Sequence, residues 1–367
     1  MAYQMFEFII MKRCRNFLES TDHQFRFKKD HSTDMCIFLL KEVIDLYNRQ
    51  NTPVVLCFLD AAKAFDRVNH WTLFRKLIVR KAPIFIIRLL LYWCRHQKFC
   101  IRWGDVTCDN GVRQGGVLSP RLFTLYLDDL SKNIVNTRIG CFLGNQCLNH
   151  IIYADLVLIC PSVKAMNCLL KECQQYALDH DIKYNTSKSH CMFIYPVRFK
   201  SLLLPKVYLD GNVLNVVDSH VYLGTIISNS DDKDMKKSLR SLYGRANMIL
   251  RRFSNCSQDV KCMLFNSYCG NLYCAHLWSI FKKQSYHEIR VAYNNSFRIL
   301  MSYSRHSSAS GNFVSNSVDS FDVKMRKCIY NFRERLNRST NILIINTLGC
   351  DLNIVSNIRQ RWRKLLY

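Results

Sequence analysis

Acidic residues are scarce in this chain: 28 Asp and Glu stand against 52 Lys and Arg among 367 residues, a formal net charge of +24. That deficit argues against a cationic partner and points to a polyanion, nucleic acid first and an anionic membrane surface second. Proline and glycine are also few, 6 and 12, so regular helices and strands should dominate. No internal repeat or low-complexity block is present. Long apolar runs are missing too: "IFIIRLLLYWC" (84–94) is too short to span a bilayer and carries Arg88. The opening "MAYQMFEFIIMKRCR" is interrupted by Glu7 and lacks a small-residue cleavage site, so no secretory leader is expected. The 18 cysteines include no CxxC pair, and the cluster Cys256, Cys262, Cys269 and Cys274 fits no zinc-ligand spacing. Cys57, Cys94 and Cys160 sit in apolar runs, where cysteine acts as a small hydrophobe. A reduced intracellular protein, nuclear or cytoplasmic and not membrane-bound, is expected.

What is present is enough apolar material for a sizeable core, 49% of residues. Residues 33–49 carry apolar side chains at helical spacing, with Thr33 as the expected cap. "PVVLCFLD" (53–60) reads as a strand ending on an acid, and "NHIIYADLVLICPS" as two short strands meeting at a tight turn. "GVRQGGVLSPRLFTLYLDDLSKNI" (111–134) is a glycine-rich turn feeding a helix, and "VYLGTIIS" (221–228) reads as a further strand. Composition shifts near residue 230. Before it lies a mixed α/β segment; after it, helical periods rich in Lys and Arg run to the end.

Two acids close apolar strand-like runs: Asp60 ends "VVLCFLD" and Asp155 sits at the tip of "IIYAD". Neighbouring antiparallel strands can bring such tips within metal-bridging distance. Mg²⁺ takes one or two carboxylates, waters and substrate phosphates, and paired ions activate an attacking hydroxyl and stabilise a leaving oxygen. Either acid alone could equally cap a turn. Around them, "DAAKAFDRV" places Phe65 where an aromatic can lie under an incoming sugar and reject a 2′-hydroxyl, or simply pack in the core. "NGVRQGGVLSP" (110–120) supplies Arg113, Gln114, Gly115 and Gly116. The glycines permit close backbone approach and the polar side chains donate to a nucleotide or template, unless this is an ordinary loop. "YNTSKSHCM" puts Lys188 in a turn, able to protonate a leaving pyrophosphate or merely solvated.

In order, "QFRFKKDHST" (24–33), "FLDAAKAFDRV", "NGVRQGGVLSPRLFTLYLDDL", "YADLVLIC", "YNTSKS" and "VYLGTIIS" resemble the motifs of the reverse transcriptase domain of non-LTR (LINE-like, jockey-type) retrotransposons. The resemblance spans roughly residues 24–228, and more loosely the C-terminal tail. It implies an α+β right-hand polymerase, with fingers and an antiparallel palm over residues 1–230 (the fingers truncated at the N-terminus) and a basic, helical, thumb-like region over 231–367. It implies catalysis by Asp60, Asp155 and Lys188, with Asp60 and Asp155 holding Mg²⁺. Phe65, Arg113, Gln114, Gly115, Gly116 and Tyr153 would contact nucleotide and template, and Tyr222, Leu223 and Gly224 would grip the primer. An RNA template, a DNA primer and dNTP would be the partners, in RNA-directed DNA polymerisation by two-metal nucleotidyl transfer.

The chain departs from the family pattern in three places. The second catalytic motif normally reads Tyr-Ala-Asp-Asp, whereas Leu156 follows Asp155 here, as though one aspartate were deleted. Arg26 stands where the family has glycine, and the segment between Trp103 and Asn110 is short. The missing acid keeps a second expectation open, a non-catalytic nucleic-acid-binding remnant of a retroelement. The adjacent acids of "YLDDL", Asp128 and Asp129, follow Leu118, Leu122 and Leu125 at helical spacing. They are expected near the far end of a helix, facing solvent or paired with Lys132.

Overall fold

Six consecutive buried residues, Val54–Leu59, form the central strand β1. A run buried on both faces needs cover on both, which is why it is continuously apolar rather than alternating. In the computed structural model, residues 2–61, 65–95, 98–101, 104–107, 111–112, 116–153, 155–196, 206–349 and 356–366 are described. Strands β2 (His150–Ile152), β3 (Leu156–Cys160), β4 (His190–Ile194) and β5 (Asn215–Val216) complete a sheet of order β5-β4-β1-β3-β2. All pairings are antiparallel except β5 with β4. On the outer edge, Phe25 N donates to Ile152 O at 2.9 Å and Ile152 N to His23 O at 2.9 Å, so the segment around Gln24 extends the sheet beside β2.

The chain divides into two compact units. The first comprises Met1–Cys36, Tyr47–Val217 and Asn341–Cys350; the second comprises Ile37–Leu46, Asp218–Thr340 and Asp351–Tyr367. In the first, the helices Ser119–Asn136 and Val163–Asp179 pack against each other, and the latter covers β1 and β3. Ser162 caps Val163–Asp179 by accepting from Ala165 N at 3.2 Å. The second unit is mostly helical: Asp232–Arg252, Lys283–Leu300 and Phe321–Asn337 enclose Trp278, Tyr293 and Phe297. The fold class is therefore the α+β arrangement that the sequence predicts, antiparallel sheet first and helices after. No helix among the described residues is long and apolar enough to cross a membrane.

Two local expectations are corrected. Thr33 is the first residue of the helix Thr33–Arg49 rather than its cap. "VYLGTIIS" is not one strand but part of a hairpin, Ser219–Tyr222 against Thr225–Ser228, closed by Leu223 and Gly224 at φ +46° and +82°. Two successive positive φ values give the turn whose twist matches the flanking strands.

A buried imidazole pair ties the sheet edge together. His23 and His150 stack with ring centroids 4.5 Å apart. His150 is bonded to the Ser131 hydroxyl at 2.7 Å and to Asn149 Oδ1 at 2.8 Å, and His23 to Cys147 O at 3.1 Å. Burial drives both pKa values down, His150 well below its ordinary value, with the neighbouring His23 adding to the effect. Unfolded histidines titrate near about 6.5, so below that pH the unfolded chain binds protons that the folded one refuses. Stability is complete above the unfolded value and is lost as pH falls toward the lowered folded values, by up to about 1.4 kcal/mol per pH unit for each ring. Urea midpoints at pH 7.5 and pH 5.5 are expected to show the fall; equal midpoints would contradict it.

Candidate active site

The register of the sheet decides where the two strand-end acids meet. β1 pairs with β3 from Val55↔Cys160 through Leu59↔Leu156. One step further along the same register sets Asp60 opposite Asp155. β2 and β3 pair up to Ile152↔Leu156, leaving residues 153–155 as the connection, with Tyr153 N donating to Asp155 O at 3.3 Å. The turn is three residues long, and β3 keeps its place on β1 by five cross-strand pairs of buried residues. Leu156, which directly follows Asp155, is buried in that strand.

Asp155 is exposed and Asp60 half-buried. Desolvation and then the Asp60 carboxylate push the Asp155 carboxyl above the usual range, and the Arg26 guanidinium offsets part of this. A carboxylate that raises its neighbour's pKa in this way is a charge arrangement to which a cation would be attracted. The donor set of the two acids fits one Mg²⁺, which needs one or two carboxylates from a protein. Among the described residues no third His, Cys, Asp or Glu joins them in a metal-binding group.

The lysine-bearing turn is fastened to the same strand end. Asn185 N donates to Asp60 O at 2.8 Å, Asp60 N donates to the Ser189 hydroxyl at 3.1 Å, and Ala61 bridges Tyr184. The Asn185 side chain accepts from Ser187 N and Lys188 N at 3.1 and 3.3 Å, shaping the turn that presents the exposed Lys188.

Phe65 stacks on Phe123, centroids 4.5 Å apart, and is half-buried. Its carbonyl accepts from Val112 N at 2.9 Å, and Val68 O accepts from Gly111 N at 2.8 Å, so Gly111 and Val112, which lead into the glycine-rich turn, lie along the first acidic segment. Gly111 has φ +97°, and a Cβ there would lie 2.9 Å from Asp66 O, so only glycine permits this approach. Arg113, Gln114 and Gly115 fall outside the described residues. Beyond them Gly116 is half-buried, and Val117 N donates to the Glu7 carboxylate at 2.6 Å. Glu7 is thus an anchor for the loop's far end, a role that its interruption of an apolar patch did not disclose.

Tyr153 is half-buried, and desolvation raises its pKa. In the second unit, Tyr222 is buried, the Tyr273 hydroxyl donates to Leu223 O at 2.8 Å, and Lys237 donates to Gly224 O. Asp234 fixes this hairpin by accepting from Ile226 N at 2.9 Å and from the Trp278 indole at 2.8 Å.

Asp128 is not solvent-facing. It is 1% exposed and accepts from Thr21 N at 2.7 Å and from Gln24 at 3.3 Å. It also pairs with Arg80 and, as expected, with Lys132 at 2.9 Å. Asp129, more open, pairs with Lys76.

Residues 1–227 match the family described as reverse transcriptase (RNA-dependent DNA polymerase). Over 326 residues the chain is 23% identical to the RNA-directed DNA polymerase from mobile element jockey of Drosophila funebris, covering 84% of this chain and 35% of that protein. It is 23% identical over 281 residues to the probable RNA-directed DNA polymerase from transposon X-element of Drosophila melanogaster, covering 71% and 30%. The chain therefore spans about a third of the length of these relatives. A telomerase structure from Candida tropicalis, solved with a fragment of telomeric RNA, aligns at TM-score 0.44 and 11% identity over 98% of this chain and 56% of that one.

Proposed function

We propose, for a chain that belongs to the reverse transcriptase (RNA-dependent DNA polymerase) family, that it is the polymerising domain of a non-LTR retroelement. It extends a DNA primer on an RNA template by attack of the primer 3′-hydroxyl on the α-phosphate of a dNTP. The observation that carries this reading is the β1–β3 register, whose last pair, Leu59↔Leu156, leaves Asp60 and Asp155 as the next residues on the two strands. In the proposed assignment, residues 1–230 act as fingers and palm and residues 231–367 as a thumb-like basic region.

Asp60 and Asp155 would hold Mg²⁺, which when bound supplies positive charge to the attacking hydroxyl and to the phosphates. The chain's own residues do the rest. Phe65, braced by Phe123, limits space under the sugar. Lys188, on a turn anchored to Asp60, delivers a proton to the leaving pyrophosphate. Arg113, Gln114, Gly115, Gly116 and Tyr153 are assigned by the family motif to contact template and nucleotide. The hairpin turn Tyr222–Leu223–Gly224, held by Tyr273 and Asp234, positions the primer end.

The reading is tested by Mg²⁺-dependent incorporation of dNTP on a primed RNA template by the full chain, lost on chelation. Phe65→Ala is expected to raise ribonucleotide incorporation about tenfold or more relative to deoxynucleotide; an unchanged ratio would remove Phe65 from the role of sugar gate. A second reading is favoured by the three-residue turn that passes from Asp155 straight to the buried Leu156, one acid short: a remnant that binds nucleic acid without polymerising. Salt-sensitive binding of the primed template with no incorporation would select it.

A further inference from the structure

Arg26 is a departure from the family pattern that the proposed reaction leaves unused. The segment Gln24–Lys29 carries three cations, and the structure treats them differently. Lys28 is turned onto backbone, donating to Ser20 O at 2.7 Å and Thr21 O at 2.6 Å, with Asp22 at 3.6 Å. Lys29 is exposed. Arg26 is half-buried and lies over aromatic rings, its guanidinium carbon 4.5 Å from the Phe27 centroid and 5.9 Å from that of Phe65. Among the described residues its guanidinium makes these ring contacts and no hydrogen bond.

The position is fixed from the backbone. The bond from Phe25 N to Ile152 O sets the next residue, Arg26, alongside the turn that bears Tyr153 and Asp155. Phe27 then adopts φ +61°. A bulky residue in the left-handed region costs about 1–3 kcal/mol and persists where the surroundings demand it. The guanidinium thus lies near the gate aromatic Phe65 and close enough to Asp155 to act on its carboxyl, its five donors available. Its planar fork suits phosphate oxygens, and ring stacking leaves its edge free to bond them.

We propose that Arg26 is a specificity residue that lets the site around Asp60, Asp155 and Phe65 bind a nucleoside triphosphate without a divalent ion, its guanidinium meeting the phosphates. The charge balance of the cluster favours this. Two carboxylates with a guanidinium beside them attract a cation less, and a polyphosphate more, than the same pair next to the family's glycine. The proposal rests on the polymerase-site reading above.

Its test is binding rather than turnover. A fluorescent dNTP is titrated into the full chain in EDTA and in Mg²⁺, with inorganic triphosphate as competitor, for the native protein, Arg26→Gly and Arg26→Lys. Urea midpoints confirm folding. The expected result is saturable binding in EDTA that inorganic triphosphate displaces. Arg26→Gly weakens it about tenfold or more, and Arg26→Lys, which keeps the charge but not the fork, weakens it less. Mn²⁺ affinity, read by electron paramagnetic resonance, should rise in Arg26→Gly. Binding that requires Mg²⁺ and is indifferent to both substitutions overturns the role of Arg26 while leaving the site reading intact. So does EDTA binding that survives Arg26→Gly, since it resides on other basic residues. No binding under either condition removes the site reading and this inference together.

Discussion

Asp155→Ala is expected to lower Mg²⁺-dependent incorporation at least ~100-fold while leaving affinity for the primed template within about twofold. The asymmetry follows from placement. Asp155 is exposed at a turn whose flanking strands share three cross-strand pairs and whose second strand is held on β1 by five more, so its removal takes away charge without disturbing the sheet. Truncation should relieve the field that Asp60 exerts on Asp155 and remove half the protein ligands of the proposed cation site. On the proposed reading, template affinity is set elsewhere, by a chain with a net charge of +24, through phosphate contacts spread over many Lys and Arg residues. Single-nucleotide incorporation and filter binding on the same preparations check the two halves. Parallel loss of both would mean that Asp155 supports the fold rather than the chemistry.

The second large effect is on stability. Asp128→Ala is expected to cost about 3 kcal/mol and to lower the urea midpoint by about 1 M. Asp128 is 1% exposed and gathers Thr21 N, Gln24, Arg80 and Lys132. Arg80 is itself only 18% exposed and also donates to Phe17 O at 3.3 Å. Deleting the carboxylate strands a guanidinium where water compensates poorly, and that penalty exceeds the value of the pair itself. Lys327→Ala, which breaks an open pair with Asp319, should cost less than about 1 kcal/mol. Similar shifts for the two substitutions would contradict the account.

Much of this was legible because the signals were local. The run Val54–Leu59 is apolar throughout and stops at an acid, so its strand and the exposed end could be read directly. The same holds for the turn at Asp155 between two short apolar runs. What could not be read depends on residues far apart. Glu7 finds Val117 across 110 positions, and no periodicity announces that. Arg26 is visible only as an oddity until the bridge to Ile152 places it. The hairpin at Leu223–Gly224 was hidden because β-branched residues on both sides read as one strand, and only Gly224 hinted at the turn. Asp128 did carry a signal: Leu118, Leu122 and Leu125 project its position onto the buried face of the helix. Its charge outweighed that spacing, and the partners that make burial tolerable, Thr21 and Arg80, lie far off in sequence.

The shortened turn tests the central claim most directly. Inserting one aspartate between Asp155 and Leu156 lengthens the connection from three residues to four, a common hairpin length, and leaves the β1–β3 pairs in place. The inserted acid takes the register position opposite Asp60, and Asp155 moves to the tip, so the site holds three carboxylates. If Asp60 and Asp155 form a polymerase centre one acid short, the incorporation rate of this variant on a primed RNA template should rise about tenfold or more over the native chain. A folded variant whose rate is unchanged or lower would contradict it.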